Sequence, residues 1–117
     1  AGPELIQIQD DISRLYMKDN VCKYALELVR ATRNHPDIER GASPRATIGM
    51  IKLAKASAWL EGRDYVTPAD VSGQFVYAVS HRILLKMAAE RERKTKRQIL
   101  EEIIRNTQMP QMGEESR

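Results

Sequence analysis

One segment limits the possible folds more than any other part of the chain. From Pro44 to Glu61, apolar side chains cover most of the circumference of a helix, and Gly62 follows as a stop signal. The apolar residues of this segment are Ile48, Met50, Ile51, Leu53, Ala54, Ala56, Ala58, Trp59 and Leu60. A helix this apolar normally has neighbours on several sides, so we expect residues 44–61 to form the core of a helical domain.

Four other segments have the apolar spacing of helices with one buried face. In the first of them the apolar residues recur at helical intervals, and these residues are Leu5, Ile8, Ile12 and Leu15. The segment that begins at Pro68 is preceded by a helix-start signal. Thr67 is a good N-cap, Pro68 suits the first helical position and Asp70 resembles the third position of a capping box. We predict helices over 4–15, 19–34, 44–61, 68–80 and 90–107.

Strand signals are few and short. Residues Arg82 to Leu85 fit either an extension of the helix 68–80 or a short strand, and residues 35–42 read as a polar loop. We therefore predict an all-α fold, a small helical bundle with at most one very short strand pair. We assign residues 1–107 to a single domain and 108–117 to a disordered tail.

Composition excludes several classes of protein. One cysteine and two histidines among 117 residues are too few for a disulfide framework or a typical zinc site. No apolar run approaches the length of about 20 residues that a membrane span needs. The net charge is +3, and residues 90–97 alone, with five basic and two acidic side chains, account for all of it. This local concentration argues against a nucleic-acid-binding domain.

No enzyme motif is present. The chain has no glycine-rich phosphate loop, no metal-ligand cluster, and no Cys or Ser partner placed by motif near His35 or His81, which we interpret as surface or structural histidines. Cys22 is expected to be structural and fits a reducing, cytoplasmic compartment. Met50 is expected in the core, while Trp59 near the helix end is compatible with either the core or a partner surface.

The stretch Ser43-Pro44-Arg45 breaks a local rule. Ser43 can cap the following helix and Pro44 suits its first turn, but a cation such as Arg45 is disfavoured there by about 0.3–1 kcal/mol. Two interpretations remain open. Either Arg45 is an exposed arginine that swings away from the helix dipole, or this helix start is built to meet an anion, such as a phosphate, held by another domain.

Three sequence blocks resemble the C-terminal lid subdomain of MoxR-type AAA+ ATPases. They are VRATRNHPDIERGASPRA (29–46), GRDYVTPADV (62–71) and HRILL (81–85), and the similarity extends over about 4–104. The resemblance implies an AAA+ lid fold and the binding of ATP between the lid and an α/β module. It also implies that Ser43, Pro44 and Arg45 lie at the nucleotide, with Arg45 as the catalytic sensor 2 arginine that reaches the γ-phosphate.

The same resemblance implies a set of partners. These are the N-terminal AAA+ α/β module of the same protein with its ATP and Mg²⁺, neighbouring subunits of a ring that is often hexameric, and proteins with von Willebrand factor A domains. The implied activity is ATP hydrolysis coupled to chaperone-like remodelling or maturation of protein complexes. Walker A and Walker B motifs are absent from these 117 residues, so we expect the lid alone to be neither an enzyme nor a tight nucleotide binder, and we expect no membrane partner.

Two other interpretations compete with this one. GRDYVTPADV is similar to the turn before the last helix of histone folds, which suggests a DNA-binding module, although the helix 44–61 is short for a histone fold and the basic charge is confined to one segment. The second alternative is a protein-interaction module with no role in nucleotide chemistry.

Overall fold

The computed structural model describes residues 2–111, which form six helices and one two-stranded sheet. The elements are α1 (Gly2–Ser13), α2 (Asp19–Ala31), β1 (Ile38–Arg40), α3 (Ala46–Leu60), α4 (Pro68–Val79), β2 (Leu84–Leu85), α5 (Met87–Arg91) and α6 (Lys96–Asn106). A turn of 3₁₀-helix, Ser80–Arg82, joins α4 to β2. The predicted all-α class with one very short strand pair is confirmed.

The strand pair settles the ambiguity at residues 82–85. Leu84–Leu85 is a strand, and it pairs antiparallel with β1, where Ile38 lies opposite Leu85. The partner strand comes from the stretch 35–42, which the sequence indicated as a polar loop. Ile38 and Leu85 are both buried, so this short sheet is held by its apolar side chains as well as by its backbone.

The core is formed where α2, α3 and α4 contact one another, while α1 packs against α3 from outside and contributes no buried residue. The inner side of α3 is lined by small residues and one methionine, and its buried members are Ala46, Thr47, Met50, Ala54 and Ala58. Tyr24 of α2 and Phe75 of α4 are the largest side chains that are fully buried in this core. The expected central role of α3 holds, but its outward side remains exposed, with Ile48 57% and Leu60 77% accessible.

The predicted helix 90–107 is divided in two. Arg93 has φ 63°, a left-handed conformation that ends the helical path after α5. A new helix begins after Thr95, whose hydroxyl accepts the Gln98 N–H at 3.1 Å while the Gln98 side chain accepts the Thr95 N–H at 3.0 Å. The sequence signal was present, because Thr95 and Gln98 have the spacing of a capping box.

Smaller differences concern helix ends and the tail. α1 ends at Ser13 rather than residue 15, since Leu15 leaves the helix and is buried in the core. α2 ends at Ala31, where the buried Thr32 follows, rather than at residue 34. The predicted tail, 108–117, falls mostly outside the described residues.

The start of α4 is fixed by a carboxylate shared between a cap and an ion pair. Asp70 accepts the Thr67 N–H at 2.8 Å, and the Thr67 hydroxyl accepts the Asp70 N–H at 3.2 Å, which completes the predicted capping box. Both guanidinium arms of Arg63 also donate to Asp70, at 2.6 and 2.8 Å. Burial opposes ionisation of Asp70, but the bonds from Arg63 and Thr67 outweigh it, and the pKa of Asp70 is lowered.

We expect Asp70→Ala to lower the free energy of unfolding by about 3 kcal/mol, because it leaves the Arg63 guanidinium and the helix cap without their acceptor. The value is at the low end for a buried pair because Arg63 retains some access to water. Chemical unfolding in urea measures it. Asp64→Ala, an exposed carboxylate nearby, is the control and should change stability by less than about 0.5 kcal/mol.

The same carboxylate predicts a pH dependence. Because the folded-state pKa of Asp70 is lowered, its stabilising effect is present above the unfolded pKa of about 4 and is lost as the pH falls through the folded value. Urea unfolding between pH 7 and pH 2 should show this loss in the natural sequence and a flatter profile in Asp70→Asn. Identical profiles for the two proteins would contradict the assignment.

Candidate functional site

The loop before α3 is held against the end of α2. The Thr32 hydroxyl donates to the Val29 carbonyl at 2.6 Å and accepts the Ala42 N–H at 3.0 Å, and both Thr32 and Ala42 are buried. Gly41 passes so close that a Cβ there would lie 2.5 Å from the Thr32 carbonyl oxygen. Glycine is therefore required at this position, and the contact fixes where the following turn begins.

Ser43, Pro44 and Arg45 form a tight turn that leads into α3. The carbonyls of these three residues accept the N–H groups of residues 46, 47 and 48 at 2.9, 3.0 and 3.1 Å. The predicted Ser43 hydroxyl cap is wrong, since α3 begins without a side-chain cap and Ser43 contributes its carbonyl instead. These N–H groups are consequently occupied, and the positive character of the site resides in the Arg45 guanidinium.

Arg45 projects from this turn into solvent. Ser43, Pro44 and Arg45 are all exposed, so the structure brings the three predicted residues together at the surface. The Arg45 side chain makes no hydrogen bond or ion pair with any other residue of the range 2–111. A guanidinium that is free of partners can offer its fork of N–H donors to a phosphate without first breaking a contact.

An apolar surface continues from Arg45 along α3. A groove of about 570 Å³ lies between α1 and α3, and we call it the α1–α3 groove. Ile12, Ile48 and Ile51 contribute its apolar lining, while Lys52 and Lys55 contribute positive charge. Lys55 also donates to the Ser13 carbonyl at 3.1 Å, which ties the two helices together. Sequence periodicity did not predict this groove, because it showed that α3 is apolar but not which of its sides lacks a neighbour.

The remaining candidates have structural surroundings. His35 accepts the Asp37 N–H on Nδ1 at 3.0 Å and faces Glu102 at 3.5 Å, whereas His81 is exposed. Cys22 is half-buried, and burial together with nearby Asp19 raises the pKa of its thiol, which disfavours the reactive thiolate.

Met50 and Trp59 both contribute to packing. Met50 is fully buried, as predicted. Trp59 is partly buried against the core, and its contact with a partner stays a prediction.

The basic segment is partly neutralised within the fold. Lys94 pairs with Asp37 at 2.9 Å and with Glu92 at 3.4 Å, and Arg97 pairs with Glu101 at 3.3 Å. These pairs reduce the charge that the segment could offer to a nucleic acid. Between residues 2 and 111, no three His, Cys, Asp or Glu side chains are grouped to hold a metal ion. In the same range, no helix has the length and apolar character to cross a membrane.

The comparison with known proteins decides the family. The AAA lid domain family model matches residues 30–103, which includes β1, the Ser43–Arg45 turn, α3, α4 and most of α6. A crystal structure of a candidate ATPase from Cytophaga hutchinsonii superposes on 93% of the chain with a TM-score of 0.87 and 34% sequence identity. The chain belongs to the AAA lid domain family, in its MoxR branch.

The relatives that carry the MoxR assignment are longer proteins. YeaC of Bacillus subtilis is 33% identical over 94% of this chain and 34% of its own length. The chaperone MoxR1 of Mycobacterium tuberculosis is 26% identical over 94% of this chain and 32% of its own length. MoxR of Methylorubrum extorquens is 37% identical over 58% of this chain and 19% of its own. The lid chain thus spans at most about a third of the curated relatives it matches, and 36% of the Cytophaga chain.

We expect Gly41→Ala to lower the free energy of unfolding by about 2 kcal/mol, because the added methyl group must push the Thr32 backbone away. Gly73→Ala is the matched control, since nothing lies within 4 Å of its Cβ position and alanine is favoured in a helix by about 0.5–1 kcal/mol. Urea unfolding of both variants measures the difference. Equal stability of Gly41→Ala and the natural sequence would mean that the close approach to Thr32 does not constrain the loop.

Proposed function

We propose that this chain is the sensor 2 lid of a MoxR-type AAA+ ATPase. In this proposal the lid closes over ATP bound to an α/β module of the same protein, and Arg45 contacts the γ-phosphate while Ser43 and Pro44 line the approach. The observation that carries the proposal is the exposed Arg45 guanidinium, which has no partner in the described residues. Arg45 lies in the turn that comes directly after the anchored Gly41–Ala42 segment.

The physical role of Arg45 follows from the chemistry of phosphoryl transfer. Negative charge spreads over the γ-phosphate oxygens in the transition state, and a positioned guanidinium stabilises it. The donors must be in place before the charge develops, and a short turn pinned at Thr32 favours this preorganisation. Because Arg45 belongs to the lid, its contact with the phosphate depends on closure of the lid.

The residues of this chain supply only part of an ATP site. Arg45 fits the phosphate end of the nucleotide, whereas the lid lacks Walker A and Walker B motifs, and residues 2–111 hold no cluster suited to Mg²⁺. Mg²⁺ when bound neutralises charge on the β- and γ-phosphates. We therefore assign ATP and Mg²⁺ to the α/β module, and hydrolysis to the assembled protein rather than to the lid alone.

The exposed side of α3 supports the presence of a covering domain. Ile48 follows Arg45 by one helical turn and is 57% accessible, and the α1–α3 groove continues the apolar surface beside it. Apolar patches of this kind mark protein interaction sites. The proposal assigns this surface to contact with the α/β module when the lid closes.

The wider assembly is proposed from the family. MoxR-type proteins imply a ring, often a hexamer, in which neighbouring subunits contact the lid. They also imply a cytoplasmic location and proteins with von Willebrand factor A domains as partners. The chaperone named among the relatives supports a role in remodelling or maturation of protein complexes. Lid closure is the step that would transmit nucleotide state to such a client.

We expect Arg45→Ala in the full-length ATPase to lower kcat about 100-fold, the loss typical of removing one transition-state donor. Stability should change by less than about 0.5 kcal/mol, because Arg45 is exposed and has no partner in the lid. Arg105→Ala, which removes an exposed arginine from the last turn of α6, is the charge-matched control and should hydrolyse ATP normally.

Steady-state ATP hydrolysis and thermal unfolding are the two measurements. Near-normal turnover by Arg45→Ala would overturn the sensor 2 assignment. A loss of turnover shared equally by Arg45→Ala and Arg105→Ala would also overturn it, because the effect would then come from net charge alone.

A further inference from the structure

Besides the α1–α3 groove, α3 borders a second cleft on the side where it packs against α4. It has a volume of about 140 Å³ and opens between α3 and α4, and we call it the α3–α4 cleft. Ala46, Gly49 and Leu53 form its α3 wall, with the buried Met50 beneath them. Nothing lies within 4 Å of the Cβ position of Gly49, so the cleft is open beside this residue.

The opposite wall carries the polar groups. Tyr77, His81 and Arg82 line it, and all three are exposed. The Tyr77 and His81 rings meet edge to face with centroids 6.4 Å apart. The Arg82 side chain forms no hydrogen bond or ion pair with another described residue, so its guanidinium is available to a ligand.

The backbone that carries Arg82 is nevertheless fixed. Ile83 follows it directly and is only 4% exposed, and β2 then pairs with β1. The HRILL block thus has two parts, since Ile83 and Leu85 are buried in the core while His81 and Arg82 are exposed. Ligand contact by Arg82 would therefore order its side chain but would not have to order its backbone.

Charge and size together indicate the kind of ligand. Among the described residues no Asp or Glu lines the α3–α4 cleft, and Arg45 directly precedes its wall residue Ala46. Two arginines whose side chains have no carboxylate partner in the described chain are thus placed at the cleft: Arg82 in its wall and Arg45 next to its wall residue Ala46. The cleft is much smaller than the roughly 300–1,000 Å³ of pockets for whole drug-sized ligands, and it matches a small oxyanion better.

We propose that the α3–α4 cleft is a second phosphoryl-binding position, in which Arg82, assisted by His81, contacts phosphate oxygens beside Arg45. This inference rests on the proposed function, because the phosphoryl group comes from the nucleotide that the α/β module holds. Its source is either the terminal phosphoryl group of bound ATP or the inorganic phosphate released after hydrolysis. A guanidinium that binds two phosphate oxygens at once supplies the recognition in both cases.

The test compares variants of the full-length ATPase. Arg82→Ala removes the proposed contact, Arg82→Lys keeps its charge but not its fork, and Arg105→Ala is the charge-matched control outside the cleft. The measurements are the dissociation constants of ATP and ADP and the constant for inhibition by inorganic phosphate. Loss of one charged hydrogen bond should weaken the affected constant at least about 10-fold, with partial recovery in Arg82→Lys.

The pattern of constants identifies the source of the phosphoryl group. A weaker ATP affinity with unchanged ADP affinity assigns the cleft to the terminal phosphoryl group. Weaker inhibition by phosphate with unchanged ATP affinity assigns it to released phosphate. If all three constants for Arg82→Ala equal those of Arg105→Ala, the inference is overturned.

A second variant tests the cleft without touching Arg82. Gly49→Val introduces its branched side chain where the structure has free space, so it should fill the cleft while the fold survives, and it should reproduce the defect of Arg82→Ala. Unchanged constants in a folded Gly49→Val protein would contradict the proposal. Arg45→Ala distinguishes failure of the sensor 2 function from failure of the cleft proposal. Normal ATP turnover by Arg45→Ala overturns the sensor 2 function. Slow turnover by Arg45→Ala, together with unchanged binding constants in Arg82→Ala, overturns the cleft proposal alone.

Discussion

Close packing of α3 against α4 positions every candidate functional feature of this lid. Ala54 and Ala58 on α3 and Val71 and Phe75 on α4 are fully buried, and the small alanine side chains allow the two helices to approach closely. Because α3 is held on this side, its other side is presented as a rigid surface. The Arg45 turn, the α1–α3 groove and the α3–α4 cleft all depend on the position of that one helix.

Local sequence signals predicted most of the fold. Helix existence followed from apolar spacing, and the Thr67–Asp70 capping box was readable because its partners are three residues apart. The strand β1 was not readable, since Ile38 pairs with the distant Leu85 and its own neighbourhood is polar. The break at Arg93 was missed for a different reason: charged residues that favour helices surround it, and the Thr95–Gln98 capping box was not recognised as the start of a new helix.

The sequence predicted which residues form the turn of the candidate site, but it did not predict the surface around that turn. Ser43, Pro44 and Arg45 are consecutive, so the sequence alone placed them together. It could not show that the N–H groups of residues 46–48 are already occupied, which leaves the Arg45 side chain as the free donor group of this turn. Nor could it separate Ile83, which is buried, from Arg82, which is exposed, because that distinction depends on contacts with β1 and α3.

The surface around α3 combines an apolar area with arginines that have no partner in the described residues. In the proposed lid, burial of Ile48 and the α1–α3 groove would stabilise closure whether or not a nucleotide is present. The contacts of Arg45 and Arg82 would instead depend on phosphate. A ligand shifts an equilibrium only by the difference in its affinity for the two states, so the apolar surface sets how easily the lid closes and the arginines make closure respond to the nucleotide. A lid with the apolar surface alone would close without sensing ATP.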